Sequence, residues 1–176
     1  YGAIDRIDQA MHASYRDVQQ WAELDSVKDA LVQGTAASAN RVFGNLTANN
    51  NLYKAVVLFD GEGKLIASSH PALIARSREE KQKEFDQKYL QTGKEGEPVH
   101  VRDFRYSGFI GDYTVSFSSL VKNEKRKPVG IVTLFINWAM IQEFVAGKQI
   151  RGGGNRMGML LGADGNTIIA HEDSSF

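Results

Sequence analysis

Cysteine is absent from the 176 residues. That excludes disulfides, thiolate metal sites and thiol chemistry of any kind. Charge of one sign is missing too: 21 Lys and Arg stand against 21 Asp and Glu, a formal net charge of zero. A surface built to gather nucleic acid would show a basic excess, and none exists here. No apolar run reaches the roughly 18 residues that a membrane-spanning helix requires. Catalytic signatures are equally scarce. The four histidines, His12, His70, His100 and His171, are scattered and lack H-E-x-x-H spacing. There is no G-x-S-x-G elbow and no Walker loop, and the Gly-rich stretches, Gly61-x-Gly63 and Gly152-Gly153-Gly154, do not lead into helices as phosphate cradles do. His171-Glu172-Asp173 could touch a metal but reads as a terminal polar tail. No enzyme, no cofactor and no metal site is expected.

What is present is a pattern of strands and helices. The length suits one domain, or one domain and part of a second, and 42% hydrophobic residues is enough for a sizeable core. The chain is organised around Leu52 to Ser69, LYKAVVLFDGEGKLIASS. Two apolar runs, Tyr53 to Phe59 and Lys64 to Ser69, flank a Gly-containing turn, which predicts a β-hairpin. MGMLLGADGNTIIAHED, with Asp164-Gly165 at its turn, repeats the pattern near the end.

Ahead of the first hairpin, Ile4, Ile7, Met11, Tyr15, Val18, Trp21, Leu24, Val27 and Leu31 form an apolar stripe at intervals of three and four. The stripe predicts an amphipathic helix from residue 1 to about 33. At about 1.5 Å per residue it approaches 50 Å, longer than a small domain needs. Simple core packing explains the stripe; a parallel helix-to-helix dimer contact would also use the excess length. Gly34 is the expected stop, Thr35 the expected N-cap of a second helix through Leu46, and Asn49-Asn50-Asn51 a turn.

After the hairpin, His70-Pro71 marks a boundary. Residues 72 to 92 are polar and helical in composition, and Gly93 ends them. Three strands follow: Val99 to Phe104, Tyr113 to Val121, and Val129 to Ile136. In the second, Tyr113, Val115, Phe117, Ser119 and Val121 face one way, and Thr114, Ser116, Ser118 and Leu120 the other. The third is apolar on both faces and is expected to be central. Asn137 to Val145 reads as a helix and Ala146 to Asn155 as a linker. The expected domains are residues 1–51 (helices), 52–145 (the sheet with its helical insert and closing helix) and 146–176 (linker and partial second module). The expected fold is α+β, a five-stranded antiparallel sheet between the long helix and the helical insert. The chain starts without Met and stops just after the second hairpin, as an excised piece of a longer protein would.

These residues in this order resemble the Cache family, PAS-like extracytoplasmic sensor domains, and specifically the double-Cache type of bacterial methyl-accepting chemotaxis proteins. The matching stretches are Leu52 to Ser69, Phe85 to Gly93, Val99 to Tyr106, Tyr113 to Val121, and Val129-Gly130-Ile131 through Asn137-Trp138. Residues 52–145 would then be the membrane-distal, PAS-like ligand-binding module, and Arg156 to Asp173 resembles the start of a membrane-proximal one. The resemblance implies binding of a small periplasmic solute, signalling through long helices to a cytoplasmic domain, anchoring in the inner membrane and a homodimer through the N-terminal helix. A histidine kinase or cyclase could stand in place of the chemoreceptor, and a ligand-free dimerisation module is the remaining alternative.

In amino-acid-binding members an Arg and a Trp hold the carboxylate and an Asp on the last strand takes the amine. Lys83-Glu84-Phe85 stands at the former position here and Phe135 at the latter. An aromatic ring cannot compensate a buried ammonium, so an amino acid is not the expected ligand. Lys83, Lys88, His100 and Arg102 can supply charge-assisted bonds to an anion, and Tyr106, Tyr113, Ser116, Ser118 and Thr133 offer hydroxyls on or beside the sheet. Together they predict a small carboxylate of the acetate, lactate or pyruvate type. Most have a plainer reading: solvated helix face for the lysines, a strand-surface ion pair for Arg102, an exposed strand residue for His100, a strand start for Tyr113, tight packing for the serines.

Overall fold

The computed structural model describes residues 2–92, 98–146, 159–161 and 168–171, the last two stretches as backbone alone. The N-terminal stripe folds as two helices, α1 (Ala3–Trp21) and α2 (Asp25–Gln33), correcting the expectation of one continuous rod. Trp21, Leu24 and Val27 recur every three residues, faster than the 3.6 of a helical turn. A straight helix would therefore carry Val27 round the axis and away from the sheet. The chain breaks instead, with Leu24 extended at ψ 136°. That returns Val27 and Ala30 to full burial.

Gly34 ends α2 in the left-handed conformation (φ 68°), its N–H donating to the Ala30 carbonyl at 3.1 Å. The next helix, α3 (Ala37–Asn49), is preceded by Ala36 and has no side-chain cap, so Thr35 does not take the expected role. The hairpin follows as β1 (Tyr53–Asp60) and β2 (Leu65–Ser68). Its turn is tied by Asp60, whose Oδ1 accepts from the N–H groups of Glu62 and Lys64, both at 2.9 Å. The insert is three short helices, α4 (Pro71–Ile74), α5 (Arg78–Glu84) and α6 (Gln87–Thr92). Ser77 and Asp86 punctuate it, accepting from the N–H groups of Glu80 and Tyr89. Then come β3 (His100–Ser107), β4 (Asp112–Lys122), β5 (Pro128–Ile136) and α7 (Trp138–Ala146). A separate antiparallel pair, β6 (Met159–Leu161) and β7 (Ile168–His171), corresponds to the second hairpin. The expected stop at Gly93, the linker beyond Ala146 and the Asp164-Gly165 turn lie outside the described residues.

The main sheet is antiparallel with strand order β2-β1-β5-β4-β3, which places the doubly apolar β5 at its centre. One face, called here the helical face, carries Val56, Leu58, Val132, Leu134, Val115 and Phe117. Val18 and Trp21 of α1, Val27 of α2 and Phe43 of α3 belong to the same apolar core. Each fully buried side chain of this size contributes about 1.5–3 kcal/mol by leaving water. The opposite, insert face is covered by α4 to α6 and by the β3–β4 turn.

Candidate functional site

Strand register arranges the insert face in rows. Ala55 on β1 sits beside Phe135 on β5, Ser116 on β4 and Arg102 on β3. The next row is Val57, Thr133, Ser118 and His100. The third is Phe59, Ile131 and Leu120. The β1 side of this face is closed by an apolar cluster in which Leu73, Phe109 and Ile110 cover Ala55, Val57, Phe59 and Phe135. Phe109 and Phe135 lie 5.9 Å apart, ring centre to ring centre. Tyr89 of α6 covers Leu120 and Ile131. What remains is a buried polar strip of Ser116, Ser118 and Thr133. The hydroxyls of Ser118 and Thr133 are 2.8 Å apart and bond to each other.

Above that strip stands an ion cluster that alternation alone does not reveal. Arg102 and Arg105 are three residues apart, so a regular strand would aim them at opposite faces. The β3–β4 register shifts between them, and this irregularity turns both toward the insert face. Both reach Glu84, the last residue of α5. Arg105 Nη2 donates to Glu84 Oε2 at 2.5 Å and to Ser116 Oγ at 3.2 Å. Arg102 Nη1 donates to Glu84 Oε2 at 3.3 Å and to the Lys83 carbonyl at 3.1 Å. Ser107 Oγ donates to Glu84 Oε1 at 2.6 Å and accepts from the Ile110 N–H. Glu84 is the only buried charged residue among those described. Burial pulls the Arg105 guanidinium below its ordinary value; the Arg102 charge adds to this and the Glu84 carboxylate opposes it. Arg105 Nη1 is buried and has no hydrogen-bond partner. Two guanidinium groups face one carboxylate, so the cluster carries one positive charge in excess.

The sequence-predicted residues divide into four groups. Arg102, Ser116, Ser118 and Thr133 converge on the strip. His100 sits at its rim, Nε2 3.1 Å from Asp86 Oδ2 and its ring stacked on Tyr89 at 5.1 Å. Lys83 is on the outer face of α5, where hydrogen bonds to Glu80 and Glu79 raise its pKa. Lys88 is likewise exposed. Tyr106 and Tyr113 lie on the helical face, 59% and 50% exposed, and pack edge-on against each other. Tyr113 shares its side of β4 with Val115 and Phe117, so it cannot join Ser116 and Ser118. Glu84, Arg105 and Ser107 were missed. A Glu at a helix end beside two Arg three apart was the available signal, readable only with the strand irregularity in hand.

On the far side of α5, a groove of about 480 Å³ opens to solvent between the β1–β2 turn and α4, with Lys64, Arg78 and Lys81 among its lining residues. Lys81 Nζ donates to the Ile74 carbonyl at 2.6 Å. Among the described residues no cluster of His, Asp and Glu could hold a metal ion, and no helix is long and apolar enough to cross a membrane.

No family model matches the chain, and no curated protein matches it. Solved structures do. The sensory domain of the Campylobacter jejuni chemoreceptor Tlp3 is similar at TM-score 0.65 and 17% identity, over 97% of this chain and 66% of that one. The ligand-binding domain of the Pseudomonas fluorescens chemoreceptor CtaA, in complex with L-serine, is similar at TM-score 0.62 and 16% identity, over 97% of this chain and 68% of that one. The E. coli DcuS sensor domain gives TM-score 0.58 at 11% identity, over 78% of this chain and 96% of that one. The chain thus spans about two thirds of the two chemoreceptor domains and nearly all of the shorter DcuS domain. A sheet ordered 2-1-5-4-3, with helices on one face and the insert on the other, is a PAS-like α+β fold, the fold of these solved sensor domains.

Proposed function

We propose that the chain is the ligand-sensing part of a bacterial transmembrane receptor, held on the extracytoplasmic side of the inner membrane, and that its insert face takes a small carboxylate. A chemoreceptor is the first choice of output and a histidine kinase the second; the same fold occurs in both settings. The observation that carries the ligand reading is Arg105. Its guanidinium lies against Ser116 on a buried polar face and keeps Nη1 unpartnered. A planar fork with an unused donor suits a carboxylate, and a buried orphan donor is costly until something accepts from it. Ser118 and Thr133 would meet the hydroxyl or keto oxygen of lactate or pyruvate. Phe135, fully buried among Phe109, Ala55 and Val57, leaves no carboxylate on β5 to neutralise an ammonium group.

A second reading rests on Glu84. Tlp3 and CtaA have been solved with L-valine and L-serine bound, and here a carboxylate and a guanidinium already touch. An amino acid could part them, its carboxylate going to Arg105 and its ammonium to Glu84.

A thermal-shift screen separates the two. A ligand at a hundred times its Kd stabilises the native state by about 2.7 kcal/mol, or about 5–10 °C at this length. Acetate, lactate or pyruvate should raise the melting temperature of the native chain, and Arg105→Lys, which keeps the charge but loses the fork, should remove most of that rise. A shift with L-serine or L-valine alone would favour the second reading. No shift with any of these would remove the ligand site from the insert face.

A further inference from the structure

Glu84 is in an unfavourable place for a carboxylate. It ends α5, where the helix presents its carbonyls and the negative end of its dipole. It is also buried, its side chain 4% exposed, which is costly for an anion unless the surroundings supply donors. They do: Arg105, Arg102 and Ser107 together bind both of its oxygens. These are the same donors that a bound carboxylate would use, over the same serine. α5 is thus docked by its last residue onto the anion-binding groups of the sheet.

We propose that Glu84 is a tethered competitor, an internal carboxylate that occupies the anion seat over Ser116 until a ligand carboxylate displaces it. The inference rests on the carboxylate reading of the insert face and specifies how that site is gated. In the closed form the seat is filled, so the apparent affinity is the intrinsic one multiplied by the fraction of molecules with Glu84 out. Displacement frees the end of α5 together with Phe85, which follows Glu84 directly and packs on Phe59 at 5.8 Å between ring centres. Exchange of one anion for another at Arg105 is thereby converted into movement of a helix. A ligand with no anionic group has no charge to exchange for Glu84 at Arg105 and leaves the seat closed.

The test compares the whole native chain with Glu84→Gln and Glu84→Asp by calorimetric titration of propionate and of L-serine. Glu84→Gln keeps the shape and an acceptor for Ser107 but removes the charge. Glu84→Asp keeps the charge and withdraws it by one methylene, and it carries the test if the Gln form does not fold. Propionate should bind Glu84→Gln about tenfold or more tighter than the native chain, with Glu84→Asp between. Without ligand, Glu84→Gln should melt lower than the native chain, and saturating propionate should narrow that gap because it restores a carboxylate to Arg105. A purely structural Glu84 would leave the gap unchanged. Native binding of propionate that neither variant strengthens would overturn the tethered competitor and keep the carboxylate site. L-serine binding that Glu84→Gln abolishes would overturn it in favour of an ammonium-binding Glu84. Failure of propionate to bind any of the three would overturn the gate and the carboxylate site together.

Discussion

Tyr53 shows how one side chain fastens the helical face. Its hydroxyl donates to Asp17 Oδ2 at 2.5 Å, joining the start of β1 to the last turns of α1, and its ring meets Trp21 edge-on at 5.3 Å. Burial, and then the hydrogen bond to the Asp17 carboxylate, push the Tyr53 phenol well above the ordinary tyrosine range. The sign follows directly. An acid whose folded-state pKa is raised stabilises the fold while both states are protonated, and loses that contribution once the unfolded chain ionises. Below about pH 10 the contribution is complete; above it the unfolded chain sheds the proton while the native state retains it. Tyr53→Phe should cost about 1–2 kcal/mol at neutral pH. The gap should then shrink by up to about 1.4 kcal/mol per pH unit above pH 10. Urea unfolding of both proteins at pH 8 and pH 11 measures it. A gap that stays constant would mean that the site does not favour the neutral phenol.

At the scale of elements, α2 meets the sheet at a point where only glycine fits. A Cβ on Gly130 of β5 would stand 2.6 Å from the Phe59 carbonyl oxygen and 2.8 Å from Leu31 Cδ1. Gly130→Ala should therefore destabilise by roughly 1–3 kcal/mol, the usual range for overpacking a tight core. Adding Leu31→Ala should recover little, because the clash with the backbone oxygen remains; full rescue by Leu31→Ala would show that only the side chain was in the way. The same scale marks what the sequence discloses. The five strands and their faces were legible because alternation in β4 and the apolar run of β5 are local signals, and β5 is central as read. The break between α1 and α2 was not, since residues 22–24 hold neither Gly nor Pro and only the drift of a three-residue spacing betrays it. For the site, Ser116 and Ser118 followed from the alternation of β4, whereas Thr133 was legible only as a hydroxyl in an otherwise apolar strand. Arg105 did not, because its direction depends on an irregularity in β3, and Glu84 did not, because its partners are 18 to 23 residues away.

Over the whole molecule, the central sheet separates the helical face from the insert face, and this bears on how two copies would associate. The apolar stripe expected to serve a dimer is largely spent within the chain: Val18 and Trp21 are buried, and Ile7, Met11 and Tyr15 pack against the same core. The outward side of α1 is polar, with Asp5, Asp8, Gln9, His12 and Arg16 exposed. Ile4, 76% exposed, is the large apolar exception on that helix. One such side chain and a set of surface charges, each pair worth about 0–1 kcal/mol, cannot overcome the entropy of association unaided. A homodimer through α1, the arrangement the sensor reading favours, should therefore be weak for this chain by itself, with a Kd of about 10 μM or higher. Sedimentation across a concentration series should show a monomer at low micromolar protein and a reversible rise above it, lost on Ile4→Glu. A stable dimer at submicromolar concentration, or one that Ile4→Glu leaves intact, would place the contact elsewhere than on α1. The helical face would then have to be read as packing alone, and movement of α5 as acting through another surface.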